Sequence, residues 1–140
     1  MSTLIFDIET IGEDFDALDE TTQHQLTRWI RETSGSDDEY ENALESVKDG
    51  MGLSPLTGEI VAIGVLDAEK GKGAVFYQSP GTKEKETEES GIKFKPMSEK
   101  EMLEAFWEGA KEYDELVSFN GRMFDAPFMA VRSAIHDVRP

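Results

Sequence analysis

The chain has 140 residues, long enough for a single domain with a core of its own, and 38% of them are hydrophobic, too many for a disordered chain. It contains no cysteine, which excludes disulfides, thiol nucleophiles and thiolate metal sites. The formal net charge of −16 argues against indiscriminate nucleic-acid binding, which relies on a basic surface. That acidity is uneven: residues 1–117 hold 11 Lys or Arg against 28 Asp or Glu, whereas residues 118–140 hold Arg122, Arg132 and Arg139 against Asp125 and Asp137. No apolar run approaches the roughly 20 residues that span a bilayer, and the N-terminus lacks the basic start of a signal peptide. No membrane association and a cytoplasmic location are therefore expected.

Residues 3–9 read as a strand ending before Gly12. From Asp16 to about Arg31, Leu18, Leu26, Trp29 and Ile30 are spaced for one face of a helix, and a second, weaker helix is expected from about Asp38 to Lys48. Gly50, Gly52 and Pro55 then mark a loop. Ile60 to Leu66 is almost wholly apolar, as for a strand buried on both faces. Gly71-Lys72-Gly73 turns the chain into a returning strand from Ala74 to Gln78. The charged stretch at about 81–92 reads as a mobile loop. Ser98 and Glu101 form a capping box for a helix whose buried stripe is Met102, Leu103, Phe106 and Ala110. Leu116 to Phe119 form a further strand, and a helix starts near Asp125-Ala126-Pro127. A hairpin beside strands joined by helices predicts an α/β fold with a mixed sheet. The whole chain reads as one domain with a helical insertion at about 13–50.

Two constellations carry the chemistry. Asp7 and Glu9 are two apart in the first strand, so their carboxylates share a face while Phe6 and Ile8 point the other way. Two like charges held close repel, and a hard divalent cation with oxygen ligands relieves that repulsion. A solvated strand face is the alternative. Asn120, Phe124 and Asp125 follow directly on a later strand, beyond a strand end and beside a helix start, where α/β sites are commonly built. Asp125 is either a metal ligand or the cap of that helix, and Asn120-Gly121 either a site element or a turn.

In order and placement, Phe-Asp-Ile-Glu-Thr at 6–10 and Ser-Phe-Asn-Gly-Arg-Met-Phe-Asp at 118–125 resemble the two leading motifs of the DEDD superfamily of 3′–5′ exonucleases. That superfamily has a ribonuclease-H-like fold and includes DnaQ-like and B-family polymerase proofreading domains. The segment from Leu53 to Gly64 resembles the lead into the second strand of the stand-alone exonucleases related to the B-family proofreading domain. The resemblance spans most of the chain apart from the insertion and the charged stretch. It implies catalytic and metal-binding roles for Asp7, Glu9 and Asp125, a pair of Mg²⁺ or Mn²⁺ ions, and the 3′ end of a single-stranded nucleic acid as substrate. Thr10, Ile11, Asn120 and Phe124 would then contact that substrate, although Phe124 suits a core position equally and Arg122 suits either phosphate or a solvated loop.

The superfamily's third motif, Tyr three residues or His five residues before an Asp, does not occur between Asp125 and Pro140. The expectation is thus a ribonuclease-H-like sheet flanked by helices that lacks its last strand and C-terminal helix. Such a chain would be a weak or inactive exonuclease by itself, completed by residues further on, and would self-associate through an exposed sheet edge. Two other readings stand beside this one. One is a noncatalytic ribonuclease-H-like interaction module, and the other an unrelated metal-dependent phosphoesterase.

Overall fold

A computed structural model describes residues 1–140. Ten elements of regular structure follow one another: β1 (Thr3–Gly12), α1 (Glu20–Thr33), α2 (Asp37–Gly50), β2 (Gly58–Asp67), β3 (Lys72–Tyr77), β4 (Thr87–Glu89), β5 (Ile92–Pro96), α3 (Glu99–Ala110), β6 (Glu115–Val117) and α4 (Asp125–Ile135). The six strands make one mixed sheet in the order β4-β5-β3-β2-β1-β6. β2–β3 and β4–β5 pair antiparallel, whereas β3–β5 and β1–β6 pair parallel. This is the mixed α/β architecture expected, and it is consistent with a ribonuclease-H-like fold.

The chain divides into two compact units, Met1–Thr10 with Ile60–Pro140, and Ile11–Glu59. The residues at about 13–50, expected as a helical insertion, fall within the second of these.

In the larger unit, Leu4, Phe6 and Ile8 of β1 belong to one buried cluster with Ile60 and Ile63 of β2 and Phe76 of β3. Against them pack Met102, Leu103 and Phe106 of α3 and Phe128 and Met129 of α4. Phe6 meets Phe106 with ring centroids 5.0 Å apart. α3 begins at the Ser98–Glu101 capping box, with the Ser98 hydroxyl accepting from the Glu101 amide and the Glu101 carboxylate from the Ser98 amide. The Trp107 indole N–H donates to Ser133 Oγ at 2.9 Å and ties α3 to α4.

Two expectations for this unit are corrected. Ile60 to Leu66 was expected to be buried on both faces, yet only Ile60 and Ile63 are fully enclosed and Val61, Ala62, Gly64, Val65 and Leu66 are half-buried. The charged stretch at about 81–92 is a loop only in its first part: Thr87–Glu89 forms β4 and pairs with β5. Ser90 and Gly91, both at positive φ (52° and 83°), make the turn that returns the chain into Ile92 and Phe94. β4 is wholly exposed, and its Glu88 and Glu89 are charges that discourage further pairing at that edge.

In the smaller unit, Asp19 caps α1 by accepting from the Thr22 amide, and Ser36 caps α2 by accepting from the Glu39 amide. A 3₁₀ turn at Phe15–Ala17 precedes α1, so Leu18 lies outside the helix expected from Asp16. Ile30 is buried, whereas Trp29 is exposed. Gly12, Gly52 and Gly58 meet backbone to backbone. A Cβ on Gly12 would lie 2.8 Å from both Gly52 N and Met51 Cβ, and one on Gly58 would lie 2.9 Å from Ile11 O. Only glycine permits that approach.

Candidate active site

The register of β1 with β6 sets the geometry. Thr3 pairs with Glu115, Leu4 with Leu116 and Ile5 with Val117, and the strands run parallel. At the start of the pair, the Ser2 amide donates to Asp114 Oδ2 at 2.8 Å and the Glu115 amide to Ser2 O at 3.1 Å, which pins the offset. β6 ends at Val117 opposite Ile5 while β1 runs on to Gly12, so Asp7 and Glu9 lie on the part of β1 just beyond the last pair with β6, where the chain enters the loop Ser118–Phe124.

Alternation then sorts the side chains. Leu4, Phe6 and Ile8 are buried, while Ile5, Asp7 and Glu9 are exposed on the opposite face. Neither carboxylate is engaged by a hydrogen bond or salt bridge from the chain. Their mutual repulsion is therefore left for a cation or solvent to relieve.

Asp125 differs from both. It is 3% exposed, and the Ser118 hydroxyl donates to its Oδ2 at 2.6 Å. The expected alternative of a helix cap does not hold. Asp125 is the first residue of α4, the N-cap position is Phe124, and no side chain caps it. The Ala126 amide is met by the loop backbone instead, donating to Gly121 O at 2.8 Å, and the helix's own first bond runs from the Phe128 amide to Phe124 O at 2.9 Å. A buried carboxylate that performs no capping is costly to hold without other use.

The loop is tightly wound. Asn120 has φ of 55°, and its carbonyl accepts from both the Met123 and Phe124 amides at 3.0 Å. Gly121 packs against Ser118, where a Cβ would fall 2.7 Å from the Ser118 Cβ. Asn120-Gly121 is thus a turn, and its conformation is what carries the Ser118 hydroxyl to Asp125. Phe124 is half-buried with its ring 5.4 Å from that of Phe128, which commits one face to the core. Arg122 is exposed, as a solvated loop arginine would be.

Thr10 is half-buried, and Ile11 is exposed where β1 enters the smaller unit. His136, which offered no role by spacing, belongs to a buried cluster around Glu99. Arg132 donates to Glu99 Oε1 from Nε at 2.9 Å and from Nη2 at 2.6 Å, His136 Nε2 bonds the same oxygen, and the Ile60 amide bonds Oε2. This cluster links α3, α4 and β2. Its only trace in the sequence is the i, i+4 spacing of Arg132 and His136.

As placed, no three or more His, Asp or Glu side chains converge to hold a metal ion. The donor set that remains, two unengaged carboxylates on one strand face, suits Mg²⁺ or Mn²⁺, which keep several waters and take one or two carboxylates from the protein.

Residues 56–140 match a family described as predicted 3′–5′ exonucleases related to the exonuclease domain of PolB. The matched part includes Asn120, Phe124 and Asp125, while Asp7 and Glu9 precede it. No curated protein matches the chain.

Proposed function

Because the chain belongs to this family of predicted 3′–5′ exonucleases related to the PolB exonuclease domain, we propose that it forms a metal-dependent site acting at the 3′ end of single-stranded nucleic acid. The observation that supports the reading is the pair of unengaged carboxylates on β1, on the stretch that follows its last pair with β6, the strand that leads into the Asp125 loop.

Asp7 and Glu9 would hold Mg²⁺ or Mn²⁺, with Asp125 as the third oxygen donor. Such ions lower the pKa of a bound water and neutralise charge on the phosphate being cleaved. The chain's own part is positional. β1 fixes two carboxylates at the spacing of one pleat, and the Ser118 hydrogen bond orients the buried Asp125 carboxyl group. Thr10 and Asn120, of the same unit, would meet the terminal nucleotide. A strand terminus is the substrate that suits the site, because a single strand can thread to it whereas a paired end must first fray.

The test uses linear and circular single-stranded oligonucleotides with the purified chain and Mn²⁺, beside an Asp7→Ala control. Slow release of mononucleotides from the 3′ end, lost in the control, is expected, and cutting of the circle refutes the reading. Calorimetric titration with Mn²⁺ gives a readout independent of turnover. Equal affinity of the wild-type chain and the Asp7→Asn/Glu9→Gln variant removes the metal site from β1.

A further inference from the structure

We infer that the groove between α1 and α2 is a docking site for a basic amphipathic helix of a partner protein, so that the smaller unit recruits while the larger carries the nuclease site. α1 and α2, joined by Ser34-Gly35-Ser36, pack together as a helical hairpin, each helix about 21 Å long. Leu26 and Trp29 of α1 and Ser46, Val47 and Gly50 of α2 line the groove, together with the buried Met51. The hairpin does not enclose these side chains itself. Thr27 and Ile30 of α1 are buried, but Trp29 is 58% exposed. α2 has no buried residue at all, and its apolar residues Tyr40, Ala43, Leu44 and Val47 are only half-buried. Leu53 and Leu56, each next in the chain to a lining residue, Ser54 and Thr57, are exposed as well. A helix with an apolar side that its own unit leaves open gains stability when a partner covers it.

Charge decides which partner that is. Residues 11–59 hold 13 Asp or Glu against Arg28, Arg31 and Lys48, a net −10, whereas the rest of the chain holds 17 against 11, a net −6. Two of those three cations are already paired within the unit, Arg28 with Glu32 at 3.1 Å and Lys48 with Asp16 at 3.6 Å. α2 alone carries Asp37, Asp38, Glu39, Glu41, Glu45 and Asp49, and Asp49 stands one turn from Ser46 on the wall of the groove. A second copy of this chain, a nucleic acid or an anionic membrane would each bring further negative charge to this surface and be repelled. A helix rich in lysine or arginine is attracted, and an apolar stripe at i, i+3, i+4 and i+7 is what a groove of this kind receives.

Trp29 is the anchor of this surface, because a large, rigid indole in an apolar setting carries a disproportionate share of binding energy. The groove is preformed. Asp19 and Ser36 cap the two helices, and Gly12, Gly52 and Gly58 close the root of the unit backbone to backbone, so little ordering remains on binding. Both helices precede the residues that match the exonuclease family, 56–140, so docking here adds to that activity and is no step of it.

The experiment measures anisotropy at low salt with a fluorescein-labelled peptide of about 18 residues built from lysine and leucine, its leucines spaced i, i+3, i+4 and i+7. A peptide of the same composition, with its leucines spread around the helix, is the control. The striped peptide should bind the wild-type chain more tightly than the control does, and added salt should weaken it. Trp29→Ala should weaken it about 10- to 100-fold, as for loss of an aromatic anchor, whereas Trp29→Phe should keep most of the affinity. Both variants should melt with the wild type, because the indole lies outside the buried core. Equal affinity for the two peptides, or undiminished affinity in Trp29→Ala, overturns the inference. Dimerisation of the wild type, or its sedimentation with phosphatidylserine vesicles, that Trp29→Ala abolishes assigns the groove to another occupant and overturns it too. Release of mononucleotides from a single-stranded oligonucleotide should be the same in Trp29→Ala as in the wild type, so either reading can fail while the other stands.

Discussion

Replacing Glu99 by leucine tests whether the buried cluster holds α3, α4 and β2 in one arrangement. Glu99 is 4% exposed and Arg132 9%, and the carboxylate accepts two hydrogen bonds from Arg132, one from the Ile60 amide and one from His136. Glu99→Leu removes the anion that balances a buried guanidinium, and breaking such a pair costs about 3–5 kcal/mol. Against a total stability of about 5–15 kcal/mol, that is a large share. With a urea dependence of about 2 kcal/mol per molar, the unfolding midpoint followed by circular dichroism should fall by about 1.5–2.5 M. The double variant Glu99→Leu/Arg132→Leu should regain most of the loss, because apolar replacement of both partners of a buried pair is often close to neutral. A fall of less than about 0.5 M in the single variant, or an equal fall in the double, refutes the reasoning.

Asp67 should govern part of the acid limb of stability. The Lys70 amide, the Lys70 ammonium, Tyr113 and the Glu69 amide all bond its carboxylate and hold its pKa down to about 2. A depressed carboxylate stabilises the fold above its unfolded pKa, and that contribution disappears as pH falls from about 4 towards 2. Asp67→Asn should flatten the pH dependence of the melting temperature in that window, and an unchanged profile would rule the carboxylate out. Ser118→Ala should destabilise the chain by about 1–3 kcal/mol by withdrawing the donor from buried Asp125, while Ser118→Thr keeps the hydroxyl and should cost less. Equal melting temperatures for wild type and the alanine variant contradict that hydrogen bond. β6 is the outer strand of the sheet, with Leu116 and Val117 exposed, so it should pair with a second copy despite the net charge. Light scattering should show dimers that Leu116→Lys disperses, and a clean monomer at high concentration is the opposing result.

Local signals were the readable part of this chain. The Ser98–Glu101 box and the stripe Met102, Leu103 and Phe106 depend on residues three or four apart, and the helix formed where that spacing put it. The Gly71 turn and its returning strand were legible for the same reason. β4 was not, because Thr87-Glu88-Glu89 has no apolar residue and owes its strand form to pairing with β5. Trp29 fits a helical stripe yet faces solvent, since periodicity gives a face and not what covers it. At the site, Asp7 and Glu9 on one pleat followed from spacing alone. Ser118 escaped notice because its partner is set by a left-handed residue two positions on, and Glu99 because Arg132 and His136 are more than thirty positions away.

The three glycines at the root of the smaller unit bear on how this chain tolerates change. β1 and β2 are sheet neighbours, and Gly58 lies against Ile11 where the chain leaves one strand and regains the other. Topologically, everything between is the connection of a hairpin. Closing such a connection costs only about 0.6 kcal/mol more for each doubling of its length, so its extent is nearly free thermodynamically. Helices could be trimmed, exchanged or replaced by a foreign domain there with little effect on the rest, provided the mouth is kept. The mouth is the intolerant part: one methyl group at Gly12 or Gly58 collides with backbone, and a graft that preserves those two positions should succeed where one that replaces them fails.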